Sequence, residues 1–325
     1  MSAPLLEVRN LRVEFPTRRG TLVAVDDVSF AISSGEVLGV VGESGAGKSL
    51  TGMAIIGLLE PPGRIAAGEV LLQGSRIDDL APDALRRIRG RRIGAIFQDP
   101  LTSLDPLYTI GRQITETILT HLPVSRKEAR ERAIALLTEV GIPAAERRMH
   151  HYPHQFSGGM RQRVVIALAL CAEPRLIIAD EPTTALDVST QAQIIKLLQR
   201  LSQQHGAAVM LITHDMGVIA ETAHRVAVMY AGRLVEIGPA RTVIQAPRHP
   251  YTAGLMRSIP RVGARGARLA QIDGTMPRLA AIPSGCAFHP RCPQRFDPCD
   301  SASPALFEVG DRRTACWLYS DAATG

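Results

Sequence analysis

The chain has 325 residues, which allows about two domains or one large domain with an appendage. Hydrophobic residues make up 46% and charged residues 21%, a composition that buries a core and excludes wholesale disorder. The formal net charge of +6 permits an anionic partner, such as a nucleotide, nucleic acid or lipid headgroup, without selecting one. No apolar run approaches the ~20 residues that span a bilayer, and the first ten residues lack a secretory pattern, so we expect neither feature.

The hydrophobic pattern predicts strands first and helices later. Residues 6–15 and 21–32 alternate apolar with polar side chains, and residues 36–41 form a short apolar strand that ends in glycine. Residues 104–142 are helical in pattern. Short apolar strands then alternate with helices, which predicts a parallel sheet covered on both faces; these elements are a helix at 159–172, a strand at 176–179, a helix at 189–205 and a strand at 209–213.

The sharpest local pattern is a glycine-rich run of the form G-x-x-x-x-G-K-[ST]. Its residues are Gly42, Glu43, Ser44, Gly45, Ala46, Gly47, Lys48 and Ser49, and Leu50 follows. The run sits between a predicted buried strand and a helix, where glycines let successive N–H groups point at a phosphate. Lys48 supplies a cation for the β- and γ-phosphates, the Ser49 hydroxyl is a ligand for Mg²⁺, and Leu50 offers only its backbone N–H. The run predicts a nucleotide site.

A carboxylate pair follows a second buried strand. The apolar residues 176–179 lead into Asp180 and Glu181. We expect Asp180 to hold the Mg²⁺ shell and Glu181 to polarise the attacking water. Such a pair is common at strand ends, so its meaning depends on the glycine-rich run upstream.

Further motifs fall in a fixed order around these two. Ser157-Gly158-Gly159 with Gln162 is similar to the signature motif of the ATP-binding-cassette (ABC) ATPases. Gln98 resembles the Q-loop glutamine, Asp187 (after Ala185-Leu186) the D-loop aspartate, His214 the switch histidine and Phe15 the aromatic residue that stacks on adenine. The chain therefore resembles the ABC ATPases over about residues 5–250.

That resemblance implies an α/β fold: a P-loop NTPase (RecA-like) core with an antiparallel β subdomain, an inserted α-helical subdomain and a small C-terminal extension containing cysteines. The implied division is a cassette at 1–255, with its helical subdomain at about 99–163, and the extension at 256–325. It also implies that two cassettes pair head to tail, each ATP lying between one P-loop and the signature motif of the partner. In that arrangement Glu181, His214, Lys48 and Gln98 serve catalysis, and the Mg²⁺ ligands are Ser49, Gln98 and Asp180.

Two segments are similar to one group within the family, the dipeptide, oligopeptide and nickel importer ATPases: residues 99–114 and the tail sequences at 249–255 and 283–292. The group implies a subunit that energises peptide import, peripheral to the cytoplasmic face of the inner membrane. Its partners would be a second homologous ATPase in a heterodimer, two membrane permease subunits and an extracytoplasmic solute-binding protein, with no nucleic acid. The alternatives are a nickel or other small-solute importer and a soluble ABC ATPase outside transport.

Four of the five cysteines lie in the tail, at Cys286, Cys292, Cys299 and Cys316. They lack the C-x-x-C pairs that are typical of structural zinc, so an iron–sulfur cluster suits them at least as well. The resembled extension implies a [4Fe–4S] cluster here. Zinc, and thiols that are free or disulfide-bonded, remain the alternatives.

Overall fold

The structure is a computed structural model that describes residues 3–184, 186–258 and 271–320. The strands are β1 (Leu6–Thr17), β2 (Gly20–Ile32), β3 (Val37–Val41), β4 (Arg64–Leu72), β5 (Ser75–Arg76), β6 (Ile93–Ile96), β7 (Leu176–Asp180), β8 (Ala208–Ile212), β9 (Arg225–Tyr230), β10 (Arg233–Pro239), β11 (Phe307–Val309) and β12 (Arg312–Thr314). The helices are α1 (Lys48–Ile55), α2 (Pro82–Ile88), α3 (Pro100–Ser103), α4 (Ile110–His121), α5 (Arg126–Glu139), α6 (Ala145–Arg148), α7 (Gly158–Leu170), α8 (Val188–His205), α9 (Met216–Thr222), α10 (Ala240–Gln245) and α11 (Pro250–Arg257). No helix within these described ranges is long and apolar enough to cross a membrane.

Two compact units divide the chain, and neither is continuous in sequence. The first unit takes the residues up to Leu6, Ile32–Val37 and Asp79–Leu211. The second takes Glu7–Ala31, Leu38–Asp78 and the described residues from Ile212 onward. The boundaries inferred above at 255/256 and at about 99–163 stay predictions.

The first unit has a parallel strand layer and most of the helices. Its strands lie in the order β8, β7, β6, and β6 pairs with β7 in parallel. Strand β7 is buried along Leu176–Ala179, as its uninterrupted apolar sequence predicts. Helix α4 buries Ile110, Ile114 and Ile118 on one face, which confirms a helix within the predicted helical region 104–142. Helix α8 ends at Gly206, whose φ of 64° is the left-handed conformation that glycine adopts easily.

The second unit contains a four-stranded sheet in the order β2, β1, β4, β5 and a separate run of strands in the order β11, β12, β10, β9, β3. Within that run, β3 and β9 are parallel, whereas β9, β10, β12 and β11 pair antiparallel. The parallel pattern that the sequence predicts up to residue 213 therefore gives way at this edge to antiparallel pairing of strands for which no prediction was made. The cause is the two-residue connection between Tyr230 and Arg233, where Ala231 and Gly232 both have positive φ, the geometry of a tight hairpin.

A buried carboxylate organises the end of this run. Glu236 on β10 is fully buried and accepts hydrogen bonds from the backbone N–H groups of Arg248 (3.0 Å) and His249 (3.0 Å). Its other partner is the guanidinium of Arg312 on β12, at 3.4 Å, whose side chain is 5% exposed. The same guanidinium donates to the carbonyl oxygen of Ala246 at 2.6 Å. Glu236 thereby joins β10 and β12 to the start of α11.

We predict that Glu236→Ala lowers the free energy of unfolding by about 3 kcal/mol, because it leaves the Arg312 guanidinium buried without its carboxylate. Urea-induced unfolding of the full chain measures the change. The matched control is Glu308→Ala: Glu308 lies 4.0 Å from Arg313 with its side chain 79% exposed, and an exposed pair of this kind contributes about 0–1 kcal/mol. Equal effects of the two substitutions would contradict the assignment.

Candidate functional site

The glycine-rich run forms the loop between β3 and α1. Gly42 has a φ of 153°, and a Cβ there would collide with the carbonyl oxygen of Met229. Gly47 has a φ of 98°, and a Cβ there would lie 3.0 Å from the carbonyl oxygen of Ala24. Both positions therefore require glycine for conformation and for space. The loop is a close-packed turn that leads into the N-terminus of α1, the arrangement that binds phosphate groups.

Lys48 is the first residue of α1 and is only 6% exposed. Its ammonium donates to the carbonyl oxygens of Gly42 at 2.8 Å and of Glu43 at 3.1 Å. A buried ammonium must be paired to offset its desolvation, and these carbonyls hold it at the mouth of the loop. Ser49, the next residue, is exposed, and Leu50 is half-buried.

His214 shares a cavity with this loop inside the second unit. It follows β8 and precedes Asp215, which caps α9 by accepting from the N–H groups of Gly217 and Val218. The cavity has a volume of about 380 Å³. Its lining residues are Gly42, Glu43, His214, Met216, Leu255, Ser258, Gln271 and Ile272. The predicted phosphate loop and the predicted switch histidine thus face the same space.

The first unit brings Gln98 and Glu181 together. Asp180 ends β7, and Glu181 follows with a φ of 45°, a left-handed conformation that is uncommon outside glycine. The Glu181 carboxylate accepts from the side-chain amide of Gln98 at 3.2 Å and from the hydroxyl of Thr184 at 2.7 Å, both at the same oxygen. Strained backbone of this kind is concentrated at functional sites.

The signature residues form the N-terminus of α7 in the first unit. The Ser157 hydroxyl caps the helix by accepting from the N–H of Met160 at 3.4 Å. Gly158 and Gly159 open the helix, where its first N–H groups and the positive end of its dipole favour a negative charge. Gln162, one turn further, is 1% exposed, and its amide nitrogen has no hydrogen-bond partner among the described residues.

Two other predicted site residues have local roles. Asp187 caps α8, and hydrogen bonds from the Ser189 hydroxyl and from the N–H and hydroxyl of Thr190 lower its pKa to about 2. Ala185, earlier in the same motif, lies outside the described residues. Phe15 is half-buried on β1, and its ring lies directly against the Gly63 backbone, where a Cβ would be 2.7 Å from Cε1. Stacking of Phe15 on adenine stays a prediction.

The iron–sulfur prediction is wrong. Cys286, Cys292, Cys299 and Cys316 are free thiols, and the residues described here contain no group of three or more histidine, cysteine, aspartate or glutamate side chains placed to hold a metal ion. The same finding contradicts the zinc alternative. Burial raises the pKa of Cys316 to about 11, and it also raises the pKa of Cys286 and of Cys292. Burial thus favours the neutral form of these thiols.

Two residues that contact the phosphate loop were not predicted from the sequence. Arg291 forms an ion pair with Glu43, and the hydroxyl of Tyr251 accepts a hydrogen bond from the Glu43 N–H. Both lie in the tail sequences that indicated the importer group. The tail motifs that contain them could be recognised in the sequence, but their contacts with Glu43 could not. An ion pair between residues 248 positions apart leaves no periodic pattern.

Known proteins are similar to this chain over nearly all of its length. Residues 25–184 match the ABC transporter family, and residues 235–299 match the family described as the oligopeptide/dipeptide transporter C-terminal region. A putative peptide import ATP-binding protein of Brucella melitensis is 51% identical over 318 residues, covering 94% of each chain. The dipeptide transport ATP-binding protein DppD of Bacillus subtilis is 48% identical, covering 98% of this chain and 96% of the relative.

A solved structure with a similar fold is a dimeric ATP-binding cassette in a post-hydrolysis state with ADP and Pi. It superposes with a TM-score of 0.65 and 32% identity, covering 73% of this chain and 99% of that one. The predicted P-loop NTPase fold is confirmed. The chain belongs to the ATP-binding subunits of ABC transporters and is an ABC-type ATPase.

Proposed function

We propose that this ATPase energises the import of di- or oligopeptides across the cytoplasmic membrane. The observation that carries the proposal is the match of residues 235–299 to the oligopeptide/dipeptide transporter C-terminal family, joined to near-complete coverage by relatives named for peptide import. The partners would be two permease subunits, a second homologous ATPase and an extracytoplasmic solute-binding protein. The chain would then sit peripherally on the cytoplasmic face of the membrane.

The nucleotide would bind with its β- and γ-phosphates in the loop from Gly42 to Ser49. There the N–H groups of the loop and the Lys48 ammonium offset the phosphate charge. Ser49, Gln98 and Asp180 offer a hydroxyl, an amide carbonyl and a carboxylate, the hard oxygen ligands that suit Mg²⁺. When bound, Mg²⁺ neutralises charge on the phosphate oxygens.

Hydrolysis would follow from positioning and charge stabilisation. A water oxygen attacks the γ-phosphorus while the bond to the β–γ bridging oxygen breaks, and ADP leaves with that electron pair. Glu181 orients the water and accepts its proton, and the Gln98 amide holds the Glu181 carboxylate through the 3.2 Å hydrogen bond. His214 contacts the γ-phosphate. No covalent intermediate with the protein is needed.

The second anion site, at the start of α7, would serve the ATP of a partner cassette. The dimeric cassette with ADP and Pi supports pairing as a mode of action for this fold. A phosphate bound by the P-loop of the partner would then be contacted by the signature residues Ser157, Gly158, Gly159 and Gln162. Asp187 would lie near the boundary between the two cassettes. ATP would join the two cassettes and hydrolysis would release them.

Uptake of labelled solutes by intact cells tests which solute this ATPase helps to import. We predict that deletion of the gene abolishes uptake of a radiolabelled di- or tripeptide, and that the wild-type gene restores it whereas the Glu181→Gln gene does not. Uptake of radioactive nickel in the same strains is the control and should be unchanged. Loss of nickel uptake with intact peptide uptake would contradict the proposal.

We predict that Glu181→Gln leaves ATP binding intact and lowers steady-state turnover at least 100-fold, because the amide cannot accept the proton of the attacking water. Nucleotide titration and phosphate release measure the two effects separately. The matched control is Glu131→Gln, an exposed glutamate on α5 in the same unit, which should change neither. Undiminished turnover in Glu181→Gln would count against the role.

Substitutions at Gly158 test whether the start of α7 contributes to ATP turnover without contributing to ATP binding by the same chain. The nearest atom to a Cβ at Gly158 is Leu186 Cδ2 at 3.7 Å, so larger residues fit. Gly158→Asp places a negative charge at the first position of α7, which stabilises the helix but repels a phosphate. We predict thermal stability at least equal to wild type and unchanged ATP affinity, with turnover reduced about 100-fold.

Gly158→Ala, which fits the same space without charge, should keep most of the turnover. Calorimetric melting, nucleotide titration and phosphate release give the three readouts. Full turnover in Gly158→Asp, or equal loss in both variants, would contradict a phosphate-binding role for α7.

A further inference from the structure

An ion pair links the phosphate loop to the C-terminal segment, defined here as the described residues 249–258 and 271–320. The Arg291 guanidinium contacts both carboxylate oxygens of Glu43, from Nη1 at 2.7 Å and from Nη2 at 3.0 Å. Two parallel bonds of this kind fix orientation as well as charge. The Arg291 side chain is 7% exposed and that of Glu43 30%, so water screens the pair less than it would a surface pair.

The rest of the guanidinium is held within the C-terminal segment. Nε donates to the Asp273 carbonyl oxygen at 2.8 Å, and Nη2 also donates to the carbonyl oxygens of Ile272 at 3.2 Å and Gly274 at 3.3 Å. The Arg291 Cζ lies 5.9 Å from the ring centres of both Tyr230 and Phe288. The arginine therefore has one well-defined orientation, and the hydrogen bond to Glu43 raises its pKa.

Tyr251 makes a second contact with the same loop residue. Its hydroxyl accepts from the Glu43 N–H at 2.8 Å, and the tyrosine itself is fully buried. Its ring packs edge-on against Tyr230 at 4.7 Å. His249 caps α11 by accepting the Tyr251 N–H at its Nδ1 at 3.0 Å, and burial lowers the pKa of His249 to about 3, which keeps the ring neutral. Glu43 is thus held at both its backbone and its side chain.

The charge at Glu43 needs explanation, since a carboxylate in a phosphate loop repels the anion that the loop binds. We propose that Arg291 is a positioning residue of the nucleotide site: by neutralising and fixing Glu43, it makes ATP affinity depend on the C-terminal segment. This inference rests on the proposed binding of ATP by the loop. An unpaired carboxylate close to a triphosphate opposes binding through Coulomb repulsion that the partly buried setting strengthens.

The same ion pair would form if Arg291 only helped to pack the C-terminal segment. Removing the charge of Glu43 distinguishes that packing role from a role in neutralising Glu43. If Arg291 acts by neutralising Glu43, removing the arginine weakens ATP binding only while Glu43 keeps its charge. If Arg291 only anchors the C-terminal segment, the loss persists when Glu43 is neutral. A double substitution therefore tests the inference directly.

The experiment measures the Kd for ATP of the full-length chain by calorimetry at low salt. Arg291→Met keeps an unbranched, flexible side chain but removes the guanidinium, and we predict a Kd about tenfold higher than wild type, an effect that shrinks as salt rises. Glu43→Gln should bind ATP at least as tightly as wild type. In Glu43→Gln with Arg291→Met, the Kd should return to within about twofold of Glu43→Gln alone.

The matched control is Arg295→Met, an arginine four positions away that is exposed, which should bind ATP as wild type does. Arg291→Lys keeps the charge and should remain within about threefold of wild type. In the assembled complex, Arg291→Met should raise KM for ATP without lowering kcat.

A wild-type Kd in Arg291→Met would overturn the inference, as would a double variant that binds as weakly as Arg291→Met. If Arg291→Met does not fold, Glu43→Gln decides alone: weaker binding than wild type by more than threefold overturns the inference. Failure of the wild-type chain itself to bind ATP, in a folded sample, would instead refute the proposed function. The Lys48→Ala variant gives the Kd for ATP that is expected when the phosphate loop no longer binds the nucleotide.

Discussion

The nucleotide site depends on a buried ammonium held by the carbonyls of its own loop. Lys48 is 6% exposed and donates to the carbonyl oxygens of Gly42 and Glu43. A cation placed there is stable only because the loop turns back on it, and the loop does so through glycines at positions with positive φ and no room for a Cβ. The loop is therefore shaped to bind phosphate before any nucleotide arrives.

A second constraint is that one carboxylate lies within the phosphate loop. Glu43 would oppose the function of the loop if its charge were left unpaired, and Arg291 and Tyr251 supply the partners. Both lie within residues 235–299, the part of the chain that matches the oligopeptide/dipeptide transporter C-terminal family. The part of the chain that distinguishes this group of ABC ATPases is thus in direct contact with the part that all P-loop ATPases share. That contact gives the C-terminal segment a physical route to affinity for ATP.

The core elements could be predicted because hydrophobic periodicity and glycine stops are local properties. Strand β7 and helix α8 lie within a few residues of their predicted bounds, and the hydrogen bond between Gln98 and Glu181 joins two residues predicted to serve one reaction. The antiparallel edge at β10 was missed because it depends on a short turn after Tyr230. The cysteine prediction failed because spacing in the sequence does not report whether the folded chain groups the side chains so that they can hold a metal ion.

We propose that one chain carries a complete phosphate loop but needs a second cassette for turnover. The most direct measurement follows ATP binding and phosphate release on the same full-length sample, across a dilution series and then with the partner ATPase added. The account predicts that monomeric chain binds ATP through an intact Lys48 and releases phosphate negligibly until a second cassette is present. Brisk phosphate release by strictly monomeric chain at every dilution would contradict it.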